Sequence, residues 1–80
     1  MITVARISKT VYLTGTNFNA IYEYDLSSHK VSKFLLMKEL SSNYRNIAAV
    51  GTILIIEDNN RVDTCTTDGE ILNEEPLLVL

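Results

Sequence analysis

Tryptophan is missing from this 80-residue chain, and cysteine, histidine and proline occur once each. With Cys65 alone there is no internal disulfide, which excludes the small secreted fold held together by bridges and makes a reducing, cytoplasmic setting the expectation. One cysteine and one histidine provide none of the ligand spacings from which a zinc site is built, so no metal and no cofactor is expected. The three glycines, Gly15, Gly51 and Gly69, are too scattered for a GxGxxG phosphate loop. Long apolar runs are absent too. The segment MITVARISKTVYLTG is broken by Arg6 and Lys9, so neither a signal peptide nor a membrane partner is expected. A net charge of −3 has the wrong sign for a phosphate-binding surface, and nucleic acid is not an expected partner.

What is present is alternation. In AIYEYDLSSHKVSKF (residues 20–34) apolar and polar residues alternate, stop at a polar turn and alternate again, the mark of two half-buried strands. Read in this way, the chain yields eight strands: ITVARI (2–7), TVYLTG (10–15), AIYEYD (20–25), KVSKFLLM (30–37), NIAAV (46–50), TILIIE (52–57), RVDTCTT (61–67) and the C-terminal EILNEEPLLVL. Asp68-Gly69 reads as a type I′ hairpin turn, and Pro76, with no amide to donate, belongs at an edge or a bulge. TILII is β-prone, uncharged and free of proline, so a neighbour must cover it. KFLLMKELSSN also fits a short amphipathic helix near residues 33–42, the alternative to a strand there. With 46% hydrophobic residues the chain makes one small domain that gains from a neighbour's support.

The two halves resemble each other. TVYLTGTNFNAIYEYDLSSHKV overlays TILIIEDNNRVDTCTTDGEI with two gaps, pairing Thr10 with Thr52, Val11 with Ile53, Leu13 with Ile55, Ile21 with Val62, Tyr24 with Cys65 and Val31 with Ile71. A repeat of roughly 40–50 residues with four strands is the size of a propeller blade. The fold expected is therefore all-β: two four-stranded antiparallel units resembling propeller blades, residues 1–40 and 41–80. The first half carries a charge of +2 and the second −5, which favours head-to-tail contact between halves or between chains.

Few residues invite chemistry. His29 stands in the turn SSHK with no partner nearby for base catalysis, and Cys65, set between threonines, reads as a small buried hydrophobe. Glu57-Asp58 and Glu74-Glu75, with neighbouring asparagines, are the clusters a hard cation could use, but EDNNRVD lacks the glycine and terminal glutamate of a helix-loop-helix calcium loop. No enzyme is expected. Among the aromatics, Tyr22 and Tyr24 share a strand face suited to packing between blades. Phe18, at the tip of TNFN, has little to pack on in its own hairpin and is a candidate contact with a partner.

VYLTG, a polar loop and IYEYDLSSHKV together resemble the kelch repeat. Thr14-Gly15 stands at the position of its glycine doublet, Tyr24-Asp25 at its tyrosine and following residue, and Val31 at its tryptophan; in the second half the corresponding residues are Glu57, Cys65 and Ile71. The resemblance implies a β-propeller that binds other proteins through loops at one end of the ring. Such rings need about four to eight blades, so closure calls for further blades or further copies. The function expected is a non-enzymatic protein-interaction module or self-assembling β-repeat protein. It would bind a protein partner or its own copies as a homo-oligomer, with Phe18 and Tyr22 at the contact. The alternative is a carbohydrate-binding ring of two-blade chains, which would have to manage without tryptophan.

Overall fold

The computed structural model describes residues 1–38, 40–41 and 43–77. Its strands are β1 (Ile2–Ile7), β2 (Thr10–Gly15), β3 (Ile21–Asp25), β4 (Lys30–Phe34), β5 (Asn46–Val50), β6 (Ile53–Glu57), β7 (Arg61–Thr66) and β8 (Ile71–Pro76). They form two four-stranded sheets, β1-β2-β3-β4 and β5-β6-β7-β8, antiparallel throughout. The protein is all-β, and no helix occurs among the described residues. None is therefore long and apolar enough to cross a membrane.

The described part of residues 33–42 holds no helix: β4 ends at Phe34, and the chain leaves it as an irregular connection. The reason is visible in the hydrogen bonding. The Met37 amide donates to the Gly69 carbonyl of the other sheet at 2.9 Å instead of to a carbonyl one helical turn back. Pro76 closes the edge strand β8, and β8 carries an irregularity opposite Thr64 and Cys65. The turn at Asp68-Gly69 differs from the type I′ expectation. Gly69 has φ +88° but Asp68 is not left-handed, and three residues, 67–69, lie between Thr66 and Glu70. These two are joined by the Thr66 amide, which donates to the Glu70 carbonyl at 2.9 Å. The Thr66 hydroxyl accepts the amides of Asp68 and Glu70, both at 3.2 Å.

The two sheets share the form of their first turn. Ser8-Lys9 and Gly51-Thr52 are both two-residue turns in which the first residue alone is left-handed (Ser8 φ 55°, Gly51 φ 61°), the pattern of a type II′ hairpin. Ser8 therefore corresponds to Gly51, and Thr10 to Ile53. The sequence pairing of Thr10 with Thr52 is one residue out, because Thr52 is a turn residue, and in a strand one residue exchanges the faces. Further along, the ladders place Leu13 opposite Tyr22 and Ile56 opposite Asp63. From there Ile21 matches Val62, Tyr24 matches Cys65 and Val31 matches Ile71.

Alternation gives each sheet an inner face, turned to the other sheet, and an outer face. Ala5, Tyr12, Thr14, Ile21 and Phe34 are the buried inner residues of the first sheet; Ile47, Leu54, Ile56, Asp63 and Cys65 are those of the second. Leu54 and Ile56 are wholly buried, so the aggregation-prone TILII lies covered as the second strand of its sheet, each of these side chains contributing about 1.5–3 kcal/mol. Tyr12 and Phe34 meet edge to face, with centroids 5.2 Å apart. The first strands β1 and β5 lie against each other, and the Ile47 amide donates to the Thr3 hydroxyl at 3.2 Å.

Candidate interaction site

Between the sheets runs the connection from β4 to β5, and its anchor is Tyr44. The Tyr44 carbonyl accepts the hydroxyl of fully buried Thr14 on β2 at 2.7 Å. Its own hydroxyl donates to Asp63 Oδ2 on β7 at 2.5 Å. Asp63 is completely buried and fully engaged: Arg61 donates to both carboxylate oxygens, at 2.9 and 3.2 Å, and the Glu75 amide to Oδ1 at 3.3 Å. Burial and the neighbouring Asp63 hold the Tyr44 phenol well above its ordinary pKa. Arg61, paired with Asp63, is raised as well. This is a structural network, since each lone pair that would do acid-base work already has a donor.

The other acidic pairs are similarly occupied. Asp58 accepts the Ser41 hydroxyl at 2.6 Å and the amides of Asn60 and Arg61 at 2.7 and 3.0 Å. Burial pushes its pKa up, and these hydrogen bonds outweigh that and bring it below the usual carboxylate range. Glu57 accepts from Asn46 across the ladder, while Glu74 pairs with Lys38 at 3.1 Å and lies 3.7 Å from Arg61. Among the described residues no three His, Cys, Asp or Glu side chains are grouped as metal ligands. His29, left-handed at φ 59°, shares a hydrogen bond of 2.9 Å with the Tyr24 hydroxyl, a contact sequence reasoning missed because it spans the turn.

Cys65 is fully buried, and burial, with a smaller effect from Asp63, pushes its thiol from 9.0 up to about 11. A raised folded pKa favours the neutral thiol in the fold. The stability this confers is complete below pH 9 and is lost as pH rises to about 11. Urea unfolding measured from pH 8 to 11 is therefore expected to show a fall of about 2–3 kcal/mol from this group. Cys65→Ala, at a cost of about 1 kcal/mol for the space left, should remove that part of the pH dependence, and an unchanged slope in the variant would assign the loss elsewhere.

The two sequence-chosen contact residues lie together. Phe18, half-buried in the β2–β3 loop, packs edge to face on Tyr22 with centroids 6.2 Å apart. It thus finds in its own hairpin the partner that its place at a loop tip had hidden. Phe18 also lines an open, polar cleft of about 350 Å3, with Asn17, Asn19, Asn43 and Asn60 among the other lining residues. Across it Arg45 donates to Asn59. Tyr22 and Tyr24 are half-buried on the outer face of the first sheet, so they lie outside the core between the sheets.

That outer face is a candidate surface. Val4, Leu13, Tyr22 and Lys33 form one cross-strand row, and Arg6, Val11, Tyr24 and Val31 the next. Within it Val4 is 63% and Val31 60% exposed. The outer face of the second sheet carries Val50, 63% exposed, beside Ile53, then Ala48, Ile55 and Thr64 in one row and Asn46, Glu57, Val62 and Glu75 in another. Compared with family models, with curated proteins and with solved structures, the chain matches none.

Proposed function

We propose that this chain is a non-enzymatic interaction module that binds protein through the outer faces of its two sheets, in the reducing setting its lone buried thiol suits. The observation that carries this is the outer face of the first sheet, an apolar four-stranded surface with Val4 and Val31 largely in solvent. An antiparallel sheet that faces water normally alternates apolar inside with polar outside. This one carries apolar residues on both faces, Ala5, Tyr12, Ile21 and Phe34 within and Val4, Val11, Leu13, Tyr22 and Val31 without, as does a sheet layered between two neighbours. The kelch-like reading is consistent with it, because a propeller blade is such a sheet. A non-enzymatic role is supported by the carboxylates Asp58, Asp63 and Glu74, all held by structural partners.

The test is a pair of measurements on the intact chain, light scattering after size exclusion across a wide concentration range and binding of a dye that reports apolar surface. Either association or dye binding is expected for the natural sequence. The double substitution Val4→Glu with Val31→Glu should reduce both, while the unfolding free energy from urea titration changes by only about 0.5 kcal/mol, as for surface changes generally. A chain that stays monomeric and binds no dye refutes this reading. The carbohydrate alternative has the asparagine-lined cleft beside Phe18 as its place; titration with simple sugars that leaves the resonances of residues 16–20 and 58–60 unmoved discards it.

A further inference from the structure

Resting on that reading, we infer that the partner is a second copy of this chain, bound head to tail, with the outer face of the first sheet of one copy against the outer face of the second sheet of the next. Two independent observations point there. The first is charge. The outer face of the first sheet carries Arg6 and Lys33 and no acidic residue, whereas the outer face of the second carries Glu57 and Glu75 and no basic one. None of the four has an ion-pair partner among the described residues. Two like faces brought together would oppose cation to cation or anion to anion across apolar surface; the unlike faces neutralise each other.

The second observation is the correspondence of the repeats. With Ser8 matched to Gly51, the outer residues Val11 and Leu13 of the first sheet correspond to the buried Leu54 and Ile56 of the second. Likewise the inner Tyr12 of the first sheet corresponds to the outer Ile55 of the second. The face left open on the first sheet is thus the counterpart of the one the second sheet buries inside the chain, and the face left open on the second is the counterpart of the one the first buries. A head-to-tail contact between copies repeats the internal packing. A contact of this kind is heterologous and satisfies every face only when it closes into a ring; with two sheets per copy, a propeller-sized ring takes roughly two to four copies.

Charge reversal on intact chains tests this. Arg6→Glu with Lys33→Glu makes both outer faces acidic, and Glu57→Lys with Glu75→Lys makes both basic. Each variant alone is expected to run at the monomer mass by light scattering at concentrations where the natural sequence assembles, with circular dichroism unchanged. Mixing the two in equal amounts should bring the assembly back, because acidic and basic faces then meet at every contact. If instead the Glu57→Lys, Glu75→Lys chain assembles alone while the other does not, or the reverse, the contact joins like faces and the head-to-tail inference is overturned, although the interaction reading stands. Assembly by both variants alone overturns it too. A natural sequence that is monomeric yet binds the apolar-surface dye overturns the second-copy inference only, whereas a monomer that binds no dye ends both.

Discussion

Asp63→Ala is expected to remove most of the folding stability of this protein. Truncating the carboxylate leaves the buried Tyr44 hydroxyl and the Glu75 amide without their acceptor and the Arg61 guanidinium without its ion pair. Breaking a buried, hydrogen-bonded ion pair costs about 3–5 kcal/mol. A domain of 80 residues has only about 4–12 kcal/mol to lose. Urea unfolding followed by circular dichroism should show the midpoint reduced by half or more, or no folded baseline at all. Tyr44→Phe is the milder probe. It deletes one donor and leaves Asp63 with Arg61 and the Glu75 amide, at a cost of about 1–2 kcal/mol. The phenol's raised pKa adds a signature. Because the neutral hydroxyl is favoured in the fold, its contribution is whole below pH 10 and is lost above it, so Tyr44→Phe should flatten the alkaline limb beyond pH 10. An Asp63→Ala protein as stable as the natural one would show that the carboxylate does not hold the connection to the second sheet.

Gly69→Ala is the other substitution with a large expected effect, and Gly51→Ala is its control. Both glycines are left-handed, at φ +88° and +61°, where an L side chain costs about 1–2 kcal/mol. They differ in what a methyl group would meet. At Gly51 nothing lies within 4 Å, whereas at Gly69 the new Cβ would stand 2.2 Å from the Leu35 carbonyl oxygen and 3.3 Å from Leu36 Cα. These are backbone atoms of the connection between the sheets, and they cannot turn aside as a side chain could. Relieving the clash displaces that connection and takes with it the Met37–Gly69 hydrogen bond, worth about 1 kcal/mol. Gly69→Ala is therefore expected to cost about 3 kcal/mol by urea titration, against about 1 kcal/mol for Gly51→Ala. Equal losses at the two sites would mean that only backbone strain matters and that the approach of residues 35–37 is not tight.

The strands were legible because their signal is local. Period-two alternation and polar turns place all eight, with ends that differ from the structure by a few residues. The side chains that join the sheets were not legible, and Asp63 shows why. In RVDTCTT the buried reading of Cys65 puts Asp63 on the same face by alternation, but nothing in the strand shows how a carboxylate could be held there, and Asp63 is indeed buried with Val62 half-buried. What satisfies the carboxylate there is Tyr44, which lies 19 residues earlier and supplies a donor no local pattern announces. A trace was there: Arg61 and Asp63, two apart, share a face, and a paired charge on one face of a strand can go inward. The correspondence of β2 with β6 is hidden in the sequence for a related reason. Thr10 and Thr52 are alike in type but stand at different places, strand and turn, whereas the left-handed Ser8 and Gly51 stand at the same place and differ in type. Phe18 and Tyr22 lie four residues apart across a loop, and only the fold shows that they pack edge to face as one feature.

Every ladder in this protein joins strands that follow each other in the chain, and the longest link between paired strands is the segment 16–20. The entropy of closing such loops is small. Strand pairing is thus low in contact order for a β protein, and each sheet assembles from hairpins of the microsecond kind. The long-range step is the meeting of the two sheets around Tyr44, so the folding rate is expected to be set by that encounter rather than by strand pairing within a sheet.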